Sequence, residues 1–283
     1  LPIYVAPDSV ETWVHRAQFQ LDATGAPAVV AGVPPDYFAA DGQLWGNPLY
    51  DWDVMRADGF GWWRRRIGTA LRRFDLLRLD HFRGLESHWA VPAGARTARD
   101  GRWLPTPGAA LLDALARDLD RVGAKLPFVA EDLGVITPEV DALRHAYQLP
   151  GMHVLQFGFD GSGDNPHLPH MHRHRGVAYS GTHDNDTTVG WLQSLDGETL
   201  RRVEFQLGAR GAELGAAVVR ATLASVSGLA MLPVQDLLGL GSEARFNTPG
   251  TTQGNWRWRL PAGLLDDARS RQYALLNRSS GRA

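Results

Sequence analysis

Short apolar runs of strand length alternate along most of the chain with stretches whose apolar residues recur at helical spacing. Residues 3–5, 76–79, 128–130, 154–159, 177–179 and 229–234 are the strand-like runs. Asp8 and Ser9 are candidate N-caps for a helix reaching Phe19. Residues 58–74 put Phe60, Trp63, Ile67, Leu71 and Phe74 on one helical face. Leu111, Leu112, Leu115, Leu119 and Val122 make a second such face. Thr137 followed by Pro138 is a helix start, with Val140 and Leu143 turned inward. Residues 200–226 read as helix interrupted at Gly208, Gly211 and Gly215. Strand, polar turn and helix in repetition predict an α/β fold with parallel strands and helical crossovers.

About six strands are counted, where a (β/α)8 TIM-type barrel needs eight. The first residues, LPIYV, read as a buried strand already under way, and Leu1 is not a methionine. The expectation is therefore an N-terminally truncated portion of such a barrel, with residues 1–283 forming the C-terminal part of one catalytic domain.

Residues 31–52 break the pattern. They lack periodicity, hold Pro34, Pro35, Gly42, Gly46 and Pro48, and carry Tyr37, Phe38, Trp45, Tyr50 and Trp52. A long aperiodic stretch predicts a functional loop, and its aromatic rings offer flat apolar faces suited to the CH-rich faces of sugars. Phe38 and Trp52 are expected to pack beneath this loop. Trp45, close to Gln43, is expected to touch substrate.

Composition narrows the classes. The 283 residues suffice for one large core or two small ones. A formal net charge of −2 indicates neither a nucleic-acid surface nor an acidic tail. Without cysteine there are no disulfides or thiolate metal sites. No apolar run is long enough to span a bilayer and no signal peptide is recognisable, so a cytoplasmic protein with no membrane partner is expected. Neither nucleotide-binding glycine motif occurs. The ten tryptophans are many for this length.

The densest candidate chemistry lies in residues 75–84, DLLRLDHFRG, where an apolar run ends on Asp80 among Arg78, His81 and Arg83. Arg78 and Asp80, two apart, share a strand face. A guanidinium beside a carboxylate favours its charged form, which suits a nucleophile. Asp80, Glu131 and Asp184 each follow a different strand-like run, roughly fifty residues apart. On neighbouring barrel strands, all three would meet at one mouth. Two carboxyls flanking a scissile bond are the equipment of glycoside hydrolysis and transglycosylation. The longer Glu131 suits the acid/base and Asp80 the nucleophile, while His183 offers a donor to a sugar hydroxyl. The alternative is that these acids only cap the following helices. His167, His170, His172 and His174 invite a metal reading, but PHLPHMHRH holds two prolines and no obvious carboxylate ligand, so no metal is expected.

RLDHFRG, AEDLG and GTHDNDT resemble the second, third and fourth conserved regions of the α-amylase clan. Their form is that of glycoside hydrolase family 77, the 4-α-glucanotransferases called amylomaltases or disproportionating enzymes. PPDYFAADGQLWGNPLYDW, VITPEV, LPGMHVLQFGF and LGLGSEARFNTPG resemble that family as well, so the likeness runs from Leu1 to about Leu260. The resemblance implies Asp80 as nucleophile, Glu131 as general acid/base and Asp184 as transition-state stabiliser. It implies Arg78 and His183 at one sugar subsite, Asp36, Gln43 and Trp45 on the acceptor side, and Asn247 as a sugar ligand. Trp256 and Trp258 are open between packing and contact. It further implies retaining transfer between α-1,4-glucans and maltooligosaccharides through a covalent glycosyl-enzyme, with no cofactor or metal. Family members are longer at the N-terminus, and a subsite aspartate of the clan's first region has no counterpart here. A chain that holds α-glucan without turning it over is the alternative; a hydrolytic amylase is disfavoured by residues 31–52.

Overall fold

The computed structural model describes residues 1–35, 39–120, 123, 125–251 and 253–282. Two compact units divide the chain, Leu1–Gly151 and Met152–Ala283.

The first unit opens with α1 (Val10–Val14), whose N-cap Ser9 accepts from the Thr12 N–H, and the chain then tightens into a single 3-10 turn rather than continuing as helix to Phe19. Residues 3–5 are not a strand. Ile3 and Tyr4 are buried as the apolar pattern requires, and Leu1 bonds the backbone at residues 78–80, its N donating to Arg78 O (2.6 Å) and its O accepting from Asp80 N (3.0 Å).

Residues 31–52 are not one loop either. β1 (Val29–Val33) and β2 (Gln43–Pro48) pair antiparallel within them. With β4 (Ser87–Pro92) and β5 (Arg102–Pro105) they complete a four-stranded antiparallel sheet of order β2-β1-β4-β5. Prolines and glycines hid these strands from the pattern: Pro48 ends β2, and the β1–β2 register shifts between Val30 and Gly32. A Cβ on Gly32 would stand 2.6 Å from Gln43 O, so the close approach of the two backbones calls for glycine.

α2 (Trp52–Ala57) and α3 (Gly61–Leu71) follow. α3 buries Trp62, Trp63 and Ile67, whereas Phe74, beyond its end, is 60% exposed and leaves the expected face. β3 (Leu77–Leu79) and β6 (Phe128–Ala130) pair parallel, joined through the antiparallel excursion and α4 (Gly108–Asp120). α4 buries Leu111, Leu112 and Leu115 as its periodicity predicts; Val122 lies outside the described residues. α5 (Pro138–Ala146) starts at Thr137 with proline in its first turn. One apolar core joins α3, α4, β3 and β6. Into it runs a ring network centred on buried Tyr50, with Phe19, Trp52, Trp62 and Trp63 at 5.1–5.6 Å. Trp52 therefore packs as expected, and four of the tryptophans are accounted for by this network and by Trp89, whose Nε1 donates to Ala98 O.

In the second unit, β7 (Gly151–Val154), β8 (Gly176–Tyr179) and β9 (Leu229–Met231) form a sheet in that order, with β8 and β9 parallel. α6 (Thr188–Ser194), α7 (Gly197–Leu207), α8 (Leu214–Leu223), α9 (Val234–Leu238) and α10 (Asp267–Ser279) accompany it. The break between α7 and α8 falls at Gly208 and Gly211, both with positive φ, while Gly215 lies inside α8. Leu155, Phe159, Val203, Leu214 and Val218 form this unit's own core. Four of the six expected strands thus exist; β7 ends at Val154, so the expected run over residues 154–159 turns into a 3-10 turn at Leu155–Phe157, and four antiparallel strands were not foreseen. Among the described residues no helix is long and apolar enough to cross a membrane.

Candidate active site

The parallel register of β3 and β6 pairs Leu77 with Phe128, Arg78 with Val129 and Leu79 with Ala130. One step further, at the C-terminal end of both strands, stand Asp80 and Glu131. Leu79 O accepts from Glu131 N (3.0 Å) and Glu131 O from Phe82 N (3.1 Å), which extends the pairing through the two carboxylates. Neighbouring strands run about 4.8 Å apart, so the two acids are held as a pair by backbone hydrogen bonds.

Their surroundings differ. Arg78 Nη1 donates to Asp80 Oδ1 at 2.5 Å, and the Asp80 side chain is 44% exposed. Glu131 is more enclosed. Burial pushes its carboxyl above the usual range, against the Leu133 N–H, the Arg78 charge and the His81 N–H, which favour the ionised form. Those two N–H groups donate to Oε1 and Oε2 at 2.9 and 2.7 Å. A carboxyl whose burial favours its neutral form, beside an accessible, guanidinium-paired one, is the division of labour that acid/base and nucleophile need.

Two residues of the polar cluster, His81 and Arg83, take supporting places that the pattern did not specify, and a third, Arg144, escaped it. His81 sits in the left-handed region at φ +51°, a conformation that costs a side-chain-bearing residue about 1–2 kcal/mol. Burial lowers its imidazole to about 4. Arg144 on α5 is buried, where helical periodicity placed only Val140 and Leu143 inward, and its Nε lies 3.3 Å from Asp132 Oδ2. It also donates to Leu149 O (3.3 Å), so the turn after Glu131 is tied to the end of α5. Arg83 lies over the Trp103 ring at 3.9 Å and donates to Val135 O (2.8 Å).

β2 brings the predicted substrate contacts to this pair. Gln43 and Trp45 share one strand face, and Trp45 Nε1 donates to Gln43 Oε1 (3.1 Å). The Trp45 ring meets the His81 imidazole edge-on at 4.7 Å and remains 37% exposed. Asp36, and Phe38 with it, lies outside the described residues.

The second unit builds another cluster in the turn after β8. Asp184 Oδ1 accepts from Asn247 Nδ2 (2.6 Å), and Oδ2 lies 3.3 Å from His183 Nε2. Arg245 donates to both Asp184 O and Asn247 O at 2.8 Å, locking the two residues together. Asn247 therefore orients Asp184 directly. Trp256 stands 5.5 Å from the His183 ring and is 53% exposed, while Trp258 packs on Phe246. Asp236 is buried on α9 rather than ending a strand, accepting from Ser180 Oγ (2.5 Å) and the Thr188 N–H (2.7 Å) at the start of α6.

The histidines of residues 167–174 are engaged by the fold. His172 bonds Ser225 Oγ (2.7 Å) and His167 O (2.9 Å) and stacks on His153, while His167 Nδ1 accepts from Val154 N (3.1 Å).

Comparison with known proteins gives one consistent family. A family model described as 4-alpha-glucanotransferase, glycoside hydrolase family 77, matches residues 1–265. The chain is 49% identical to a 4-alpha-glucanotransferase of Synechocystis, over 100% of its own length and 56% of the relative's. It is 50% identical to one of Thermus thermophilus, over 94% and 54%. The chain thus spans about half the length of the curated relatives it matches. An amylomaltase of Streptococcus agalactiae solved in complex with acarbose superposes with a TM-score of 0.95 at 37% identity, covering 100% of this chain and 57% of that one.

Proposed function

The chain belongs to the 4-alpha-glucanotransferase family, glycoside hydrolase family 77, and from that membership we propose that it moves α-1,4-glucan segments between maltooligosaccharides with retention of configuration. One observation carries the reading: Asp80 and Glu131 stand at the same step of paired parallel strands in opposite environments. Retaining enzymes hold their two carboxyls about 5–5.5 Å apart, close to the spacing of adjacent strands.

In the first step Asp80 attacks C1 of a glucose unit and the C1–O4 bond breaks. The leaving O4 takes the proton of Glu131, and the glucan segment remains as an ester on Asp80. In the second step the 4-hydroxyl of glucose or an oligosaccharide gives its proton to Glu131 and attacks C1, and Asp80 departs as carboxylate. The two steps restore both groups, and every proton they move is held by Glu131. Water in place of the acceptor gives hydrolysis. Trp45 and Gln43 present a flat face and an amide to the acceptor, a role that the family resemblance also gives Asp36. Arg78 and His183 serve as sugar-binding residues, and Asp184, oriented by Asn247, as the stabiliser of the oxocarbenium-like transition state. With the family goes the fold class, a (β/α)8 barrel of which this chain is a portion.

Incubation with maltotriose tests the reading. Transfer gives glucose together with maltooligosaccharides longer than the starting trisaccharide. Glucose and maltose alone would mean hydrolysis, and unchanged maltotriose would mean a chain that at most binds glucan.

A further inference from the structure

His81 lies next to Asp80 in sequence and has no part in the two steps above. Its geometry is nevertheless tightly constrained. Its backbone is left-handed at φ +51°, a region that asparagine, aspartate and histidine visit more readily than other residues bearing a side chain, and that β-branched residues avoid. That turn points its N–H at Glu131 Oε2 (2.7 Å). The next residue's N–H reaches Glu131 O (3.1 Å), so the peptide groups on both sides of His81 are spent on Glu131. Gly84 closes the turn behind it: Gly84 N donates to His81 O (2.9 Å), and a Cβ there would come within 3.1 Å of His81 Cδ2 and 2.6 Å of Ile3 Cδ1. The ring is thereby aimed at Trp45, which it meets edge-on at 4.7 Å. Tyr4 supports the same indole from 6.2 Å.

We infer that His81 is a positioning residue with two outputs, its backbone clamping the Glu131 carboxyl and its ring setting the indole of Trp45. The inference rests on the reading of Glu131 as acid/base. It adds that the acceptor platform and the proton donor are held by a single residue. The charged and titratable groups facing Glu131 are Arg78 and Asp80 from β3 and its end and His81 itself, whose ring burial keeps neutral at pH 7. The clamp is therefore a backbone device and does not depend on an imidazolium.

The test separates backbone from ring, using His81→Gly, His81→Asn and His81→Val. Glycine and asparagine adopt the left-handed turn without the imidazole; valine resists it. The Glu131 carboxyl is titrated by carbon-13 NMR, assigned by its loss in Glu131→Gln, with the fold of each variant checked by circular dichroism. This readout needs no turnover, so it stands or falls separately from the glucan-transfer reading, which maltotriose decides. Losing one N–H bond to a carboxylate raises its pKa by about one unit. The expected result is Glu131 titrating about one unit higher in His81→Val than in His81→Gly, with His81→Asn close to the glycine variant. In all three, the Trp45 indole N–H resonance, assigned through Trp45→Phe, moves from its wild-type position. A Glu131 titration that is the same in the valine and glycine variants overturns the clamp. An unmoved Trp45 resonance overturns the ring's role. Should His81→Val not fold, His81→Gly and wild type decide: the glycine variant must titrate within a few tenths of a unit of wild type, and a rise of about one unit contradicts the backbone assignment.

Discussion

Which of two adjacent carboxyls carries a proton decides what each can do. Asp80 has a guanidinium at 2.5 Å and a partly exposed side chain, whereas Glu131 is enclosed and driven toward its neutral form. Asp80→Asn keeps the shape and removes the nucleophile, so turnover of maltotriose should fall by orders of magnitude, read as initial glucose release, with the melting temperature little changed. Because Glu131 must be protonated to release the first product, its raised pKa extends the active range upward. The expected profile of kcat/KM falls as pH rises through that pKa, above the ordinary carboxylate range. In Glu131→Gln this limb should vanish, together with about 10²–10⁴-fold of the rate on maltotriose; a limb that persists would assign it to another group. Asp80 and Glu131 were legible because each follows an apolar run of strand length. Arg144 and the left-handed His81 were not, since helical periodicity cannot announce a buried cation and no local pattern encodes a positive φ.

At the level of elements, the central correction concerns residues 31–52. Prolines, glycines and the missing alternation predicted a loop, yet two strands pair within it and join β4 and β5. Sheet formation there rests on partners distant in sequence, Val91 opposite Val30 and Trp89 opposite Gly32, which a local window does not register. The consequence is functional. Trp45 is placed by a strand rather than by a loop, and its position depends on the β1–β2 register. Gly32→Ala would push a methyl group toward Gln43 O, at 2.6 Å, and Val91 Cγ2, at 3.1 Å. A loss of about 1–3 kcal/mol is expected, read in thermal unfolding. Transfer by this variant should suffer more than hydrolysis, since Gln43 and Trp45 move with β2. Trp45→Ala should lower the transfer-to-hydrolysis ratio in the same direction without the stability loss, because the indole is partly exposed. An unchanged ratio on maltotriose would reduce Trp45 to a structural role.

For the molecule as a whole, 283 residues allowed one large core or two small ones, and the structure has two compact units with separate cores. Helix–strand alternation revealed the α/β class and four strands, but it could not separate the units, since the boundary at Gly151 and Met152 falls inside β7. Nor did it reveal that Asn247 and Arg245, more than sixty residues beyond Asp184, grip that residue. The whole account comes down to a sugar ester forming on Asp80. α-Maltosyl fluoride carries a leaving group that needs little acid help, so Glu131→Gln should form the ester and, lacking the base, turn it over slowly. Mass spectrometry of the digested protein reads the outcome directly. The account predicts a maltosyl adduct on the peptide that contains Asp80 and its absence in Asp80→Asn. An adduct on another residue, or fluoride release with no adduct and an inverted product, would contradict it.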